Sequence, residues 1–337
     1  MRKLAILIFI ASFCSISYGQ FPASVDSVYT FIKYNSILRK TVDWTQIDKT
    51  FKEQIETAKS LKDTMICFVT VLEKLNDVHS QIFLNNELFA NYPQFDDTTL
   101  AWLKPINDKA NSLTNQIQTK IIAGKIGYIR VPSFQVYDTK QINNFAQSLA
   151  DSIFRLSKNA RKGFIIDLRL NGGGNIYPML SGLSQFLGNQ TIAYETDVND
   201  SIIRTWEIKN GNFVIGGYQT TNITVKPFKK STLTPIVILV GPITKSAGSM
   251  TAIAFKERPN TVFIGEPTAD GYTTSNNYFQ FAPNLTLNFA TNYVTDRSMK
   301  IYKTFVTPDI LVYKGDKFDK LTEDRKIQAA IKWLMKK

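Results

Sequence analysis

"TPIVILVGPITKSAGSMTAIAFKER", residues 234–258, decides the fold. Its first half holds an unbroken aliphatic run, Ile236 to Val240, too short for a helix and apolar on both faces. That pattern predicts a strand covered from both sides, as in a parallel sheet. A turn of small residues follows, and "SAGSMTAIAF" then reads as a buried helix. The same grammar recurs along the chain. "KIGYIRVPSF" (125–134), "GFIIDLRL" (163–170) and "TVFIGEP" (261–267) read as strands. "TKQINNFAQSLADSIFRLSKN" (139–159) and "PMLSGLSQFLG" (178–188) read as helices between them. Strand and helix in alternation predict βαβ units and an α/β fold, α+β when the whole chain is counted.

The flanking regions break this rhythm. Residues 20–80 read as a small helical domain. "SVDSVYTFIKYNSILRK", "WTQIDKTFKEQIETAKS" and "LKDTMICFVTVLEKLN" repeat apolar residues at spacings of three and four. Residues 81–120 are mixed and polar and read as a linker or loop region. The core is expected over 121–337, with β-hairpin material inserted at about 190–232. "NLTLNFATNYVTD" adds a late strand pair, and "KLTEDRKIQAAIKWLMKK" an amphipathic C-terminal helix.

The chain opens "MRKLAILIFIASFCSISYGQF". Cations, a short apolar run and small residues at Ser17 and Gly19 follow the order of a secretory signal, so residues 1–19 are expected to be removed. The run falls short of the ~20 residues of a membrane span. Cys14 follows Phe13, where a lipoprotein signal carries a small residue. The mature protein is thus expected in the periplasm or outside the cell, without an integral span. Cleavage leaves Cys67 alone in the apolar stretch "MICFVTVL", so no intrachain disulfide can form and the thiol reads as an inert core residue. The net charge of +12 favours anionic surroundings such as an envelope surface or acidic peptides. The cations are scattered with no aromatic interleaving, which speaks against nucleic acid.

Three stretches could carry chemistry. "DLRLNGGGN" (167–175) ends a buried strand in consecutive glycines. Bare amides there can form an oxyanion hole, or simply a strand-to-helix turn. In "TKSAGSM" (244–250), Ser246 opens a helix. It can be a nucleophile beside the free amide of Ala247, or an N-cap. The surroundings lack G-x-S-x-G, so the α/β-hydrolase elbow is not expected. In "LNDVHSQIF" (75–83), His79 is the single histidine, a candidate general base for the serine. One histidine and one mature cysteine cannot build a zinc site, and no metal or other cofactor is expected.

These stretches occur in an order that resembles a known family. It is the serine peptidase family of the tail-specific and C-terminal processing proteases, the tricorn core and the interphotoreceptor retinoid-binding protein repeats. "VDWTQID", "LNDVHS", "GYIRVPSF", "IIDLRLNGGGN", "ILVGPITKSAGSMTAIAF", "IGEPTADG" and "VTPDI" match its segments in sequence. The resemblance implies a crotonase-like βαβ core. It implies Ser246 as nucleophile, His79 as general base, and the amides of Gly173 or Gly174 with Ala247 as oxyanion hole. The chain departs from the lysine-using branch. Gly271 stands at the lysine position and Ser249 at the glutamate position, and fewer than fifty residues separate His79 from Gly127, too few for a PDZ domain. It sides with the histidine-containing, tricorn-like branch. That branch carries an acid before "VTPDI" to orient the histidine, yet Tyr302 and Lys303 occupy the place here. Glu266 and Asp296 are the candidates for the orienting acid.

The expected function is that of an exported serine endopeptidase acting on a peptide or protein substrate. The alternative is a catalytically impaired homologue that binds peptides or apolar ligands in the same cleft. A third reading is acyl transfer on a non-peptide substrate. Oligomeric state is open, because family members form monomers and larger assemblies.

Overall fold

The computed structural model describes residues 25–229 and 231–337. The expected leader, 1–19, lies outside the described residues. Three helices come first: α1 (Val25–Asn35), α2 (Trp44–Thr57) and α3 (Leu61–Lys74). Asp43 caps α2 through the amide of Thr45, and Ser60 caps α3 through the amide of Asp63. Each helix buries one stripe. Val28, Ile32, Ile47, Phe51, Phe68 and Leu72 meet in a common cluster.

That cluster is closed by strand residues. Ile82 of β1 (Gln81–Leu84) and Phe89 of β2 (Glu87–Ala90) join it, with Leu285, Leu287 and Phe289 from far along the chain. The helices therefore share their core with a sheet. Residues 81–120, read as linker or loop, carry this hairpin and a long helix, α4 (Asp97–Ser112), capped by Asp96. Pro105 inside α4 and the surrounding polarity hid that helix, since a proline removes one ladder hydrogen bond and argues for a break.

The core continues with β3 (Gln118–Ile122), β4 (Ile126–Arg130), α5 (Thr139–Ser157), β5 (Phe164–Asp167), α6 (Ile176–Gly182) and α7 (Ser184–Leu187). The insertion supplies β6 (Thr191–Thr196), β7 (Ile202–Lys209), β8 (Asn212–Ile215) and β9 (Tyr218–Gln219). Then come β10 (Ile236–Val240), α8 (Ala247–Phe255), β11 (Thr261–Gly265), β12 (Thr274–Ala282), β13 (Leu285–Asp296), β14 (Ile301–Tyr302), β15 (Ile310–Leu311) and α9 (Arg325–Met335). The expected late strand pair is one long strand, β13, whose hairpin partner β12 lies before it.

One sheet has the order β15-β11-β10-β5-β4-β3 and is parallel except at the β3–β4 edge. The other is antiparallel, β2-β1-β13-β6-β7-β8-β9, with β12 and β14 also on β13. Between the sheets lies α8, buried along its whole length. Its Ala247, Ile253 and Phe255 share a cluster with Ile238 and Val240 of the parallel sheet and with Trp206 and Val294 of the other. A helix apolar all round is stable only when covered all round. On the far face of the parallel sheet, Ile327, Ala330 and Leu334 of α9 cover Val237, Leu239 and Ile264.

A buried ionic cluster fixes α9. Arg169 reaches Asp167 at 2.7 Å, Asp316 at 2.6 Å and Asp324 at 2.8 Å, and is 1% exposed. Lys326 reaches Asp316 at 2.6 Å and Glu266 at 2.7 Å. The neighbouring Arg169 holds the Asp167 carboxyl down at about 2 despite its burial.

Candidate active site

Strands β5 and β10 are adjacent and parallel, with Asp167 opposite Leu239. The chain leaves both at the same end of the sheet, where open α/β sheets place their ligand sites. The glycine loop 171–175 and the turn at Ser246 therefore emerge side by side. A Cβ on Gly173 would stand 2.7 Å from the Cβ of Ser246. A Cβ on Gly248 would stand 2.4 Å from the carbonyl oxygen of Asn171. Both positions need glycine because the two chain segments touch.

Ser246 has φ 53° and ψ −127°, a left-handed backbone that a non-glycine residue adopts at a cost of ~1–3 kcal/mol. Its side chain makes no capping bond to α8. The turn is held by backbone bonds: the amide of Ser246 donates to Tyr272 O at 3.1 Å and that of Lys245 to Asn171 O at 3.1 Å. Held so, the hydroxyl turns away from the helix. The strained strand-to-helix turn arises here without the G-x-S-x-G pattern.

His79 is delivered from the other sheet. Helix α3 ends at Lys74, and Asn76 just beyond it, with a φ of 55°, supports the bond from the Asp77 amide to Leu72 O at 2.8 Å. The Asp77 carboxylate then accepts from the amides of His79 and Ser80 and from the Ser80 hydroxyl. The Ser80 oxygen in turn accepts from the amide of Ala290 in β13. Asn76, Asp77 and Ser80 thus fix where His79 points.

The imidazole Nε2 lies 2.9 Å from Ser246 Oγ. Nδ1 lies 2.7 Å from the hydroxyl of Thr274. The group behind the imidazole is therefore a neutral hydroxyl, which corrects the expectation of an orienting acid. Glu266 accepts from the amide of Lys314 and pairs with Lys326, in the ionic cluster beneath α9. Asp296 accepts from Ser298, from the amide of Lys300 and from the hydroxyl of Tyr302. Both carboxylates are satisfied elsewhere. The sequence held no signal for Thr274, an ordinary strand residue of β12.

The hydrogen bonds define the tautomer. Asn276 Nδ2 donates to the carbonyl of His79 at 2.9 Å, which turns its Oδ1 towards Thr274 Oγ1 at 3.2 Å. The Thr274 hydroxyl donates to that oxygen and so accepts from Nδ1–H. The Nε2 lone pair then faces the Ser246 hydroxyl. Burial, with the Lys245 ammonium as a second cause, pushes His79 down to about 3, so the imidazole is neutral. Such a pair can take the serine proton at neutral pH, with a hydroxyl and not a carboxylate at Nδ1 as the imidazolium forms.

Of the glycine amides, that of Gly172 donates to Ser133 Oγ and that of Gly173 to Asn171 Oδ1. Among the described residues, the amides of Gly174 and Ala247 have no such partner. Gly174 lines the same cleft as His79 and Ser246. The positions of the lysine-using branch are closed off. Gly271 has φ 78°, and a Cβ there would meet Val78 Cγ2 at 2.6 Å. Ser249 is buried and donates to Thr244 O at 3.0 Å. No group of acids, histidines and cysteines able to hold a metal occurs among the described residues.

Comparison with known proteins follows the same lines. Residues 125–312 match peptidase family S41. The chain belongs to this family. The nisin-resistance protein of Lactococcus lactis subsp. lactis is 31% identical over 80% of this chain and 76% of its own. A lipoprotein of Streptococcus agalactiae shares the fold, with a TM-score of 0.69, 23% identity, and coverage of 93% of this chain and 95% of that one. The photosystem II D1 C-terminal processing protease shares it at a TM-score of 0.55 and 14% identity, over 86% of this chain and 92% of that one. The S41 match includes Ser246 and the glycine loop and leaves His79 outside it.

Proposed function

We infer that the protein is a serine endopeptidase in which Ser246 is the nucleophile and His79 the general base. The observation that carries this reading is the 2.9 Å contact between His79 Nε2 and Ser246 Oγ, with the serine in a strained turn and uncapped. Ser246 Oγ attacks the peptide carbonyl carbon while its proton passes to Nε2. The tetrahedral oxyanion is held by the amides of Gly174 and Ala247; Gly173 shapes the loop, its amide being engaged by Asn171. Collapse breaks the C–N bond, and His79 returns the proton to the leaving amine. Water then releases the acyl group by the same route. The cleft, about 1350 Å³, has room for several residues of a peptide. The leader-like N-terminus supports an exported location.

A second reading, a cleft that binds peptides with little turnover, draws on Thr274 standing where an acid would be expected. A fluorophosphonate probe separates the two. Labelling confined to Ser246, lost in Ser246→Ala and slowed in His79→Gln, supports the peptidase. An unlabelled Ser246 under conditions that label another S41 enzyme would overturn it.

A further inference from the structure

The cleft contains one charged side chain, Lys245, that no counter-charge among the described residues answers. Glu195, Arg204 and Lys245 are the ionisable acids and bases along its wall among the described residues, apart from His79 and the tyrosines. Glu195 and Arg204 pair at 2.6 Å, and Glu195 also accepts from Trp206, Ser275 and Asn292. Lys245 makes no side-chain hydrogen bond or ion pair among the described residues. Its stem runs past Gly172, where a Cβ would lie 3.5 Å from Cε, and its ammonium sits 5.3 Å from the centre of the Tyr272 ring. That ring also packs edge-on against His79, 5.2 Å between centres. The backbone of Lys245 is fixed at both ends: its amide donates to Asn171, and its carbonyl accepts from Gly248.

A half-buried ammonium without an anion is a costly arrangement, because partial desolvation is not offset by a counter-charge. The cost shows in the lysine itself, whose pKa burial lowers. A surface lysine would swing into water, but this one is held in the groove beside the nucleophile. It does not serve as base, since the imidazole already occupies the Ser246 hydroxyl.

We propose that Lys245 is a specificity residue that receives a carboxylate of the substrate peptide next to the scissile bond. The carboxylate comes from the chain's C-terminus or from an Asp or Glu side chain. An ammonium and a carboxylate make a charge-assisted hydrogen bond about twice as strong as a neutral one. The partnership has a second effect. Lys245 opposes protonation of His79, and a bound carboxylate cancels that opposition as proton transfer begins. Binding the right substrate thus makes the imidazole a better base.

This inference rests on the peptidase reading for its consequence, but its test does not. Binding is measured by fluorescence anisotropy on full-length Ser246→Ala protein, where no chemistry occurs. The probes are a fluorescent neutral peptide with a free C-terminus, its C-terminal amide, and amidated versions carrying one Asp or the matching Asn at successive positions. At least one carboxylate-bearing probe should bind about tenfold more tightly than its uncharged twin, and the position that gains identifies the source. The preference should vanish in Ser246→Ala/Lys245→Met and persist in Ser246→Ala/Lys245→Arg, with circular dichroism confirming that both fold. Equal binding of acid and amide probes, or a preference that survives Lys245→Met, overturns the proposal. Failure of Ser246 to label with fluorophosphonate would sink the peptidase reading and leave this binding result standing.

Discussion

Thr274 Oγ1 accepts from His79 Nδ1–H at 2.7 Å, and the threonine proton goes on to Asn276 Oδ1 at 3.2 Å. Asn276 closes the ring by donating to the carbonyl of His79. The histidine is thus oriented by a neutral relay anchored on its own backbone. In a Ser-His-Asp triad, losing the correct tautomer costs about 10⁴-fold in kcat. A relay of hydroxyl and amide fixes the tautomer but adds no negative charge.

Thr274→Val should therefore lower the rate of fluorophosphonate labelling by about 10- to 100-fold, since it removes the Nδ1 acceptor and leaves a methyl group in its place. Thr274→Ser should restore most of the rate. Equal rates in wild type and Thr274→Val would show that the relay does not orient His79.

The pH dependence follows from the depressed His79. Because the native imidazole titrates at about 3, labelling should show no ionisation near the ordinary histidine value of ~6.5. Stability carries the complementary sign. Between pH ~6.5 and 3 the unfolded chain binds a proton that the native His79 refuses, so stability falls as pH falls through that window. The charged group facing His79 is Lys245, and Tyr272, Thr274 and Ser246 complete its surroundings. Asp77, which accepts from the His79 amide, is raised by burial, and Asp167 is lowered to about 2. The raised Asp77 adds stability as pH falls and the lowered Asp167 loses it, and both contributions are shared by wild type and His79→Gln. Urea titrations of wild type and His79→Gln from pH 7 to 4.5 isolate the histidine share. The variant should lose less stability over that range, and parallel losses would refute the assignment.

Gly248→Ala places a methyl group 2.4 Å from the carbonyl of Asn171. Helix α8 must back away from the glycine loop, at a cost of ~1–3 kcal/mol. The shift parts Ser246 from Gly173, so labelling should slow even in the folded variant. A Tm and a labelling rate matching wild type would contradict the close approach.

Arg169→Leu should destabilise the protein by ~3–5 kcal/mol, because it strands Asp167 and Asp324 as buried charges. Denaturant midpoints read this directly. Cys67, buried and with its thiol raised by burial, should react with a thiol reagent only as the protein unfolds, at the same midpoint.

Much of this was legible in the chain because it rests on local rules. The apolar runs at 164–166 and 236–240 read as covered strands, and the regular alternation around them announced βαβ units. Ser246, His79 and the glycine loop could be singled out by residue type and order. Residues 81–120 were not legible, since Pro105 and a polar surface mask a helix whose few buried side chains, Leu103, Ile106 and Ala110, find partners elsewhere. The partner of the imidazole was not legible either. Sequence reasoning sought a carboxylate because charge is what residue type records, and it offered Glu266 and Asp296. Both are consumed by neighbours that only folding brings near.

The sequence by itself determined the turn at Ser246, the single histidine of the chain, and the parallel core that carries the turn, because each depends on residue type and on runs of a few adjacent residues. Only the tertiary structure decided that Thr274 stands behind His79 and that, among the described residues, Gly174 and not Gly173 keeps its amide free and Lys245 faces the cleft without a counter-ion. Those are relations between segments far apart along the chain, set by strand register and by which polar groups reach a partner first.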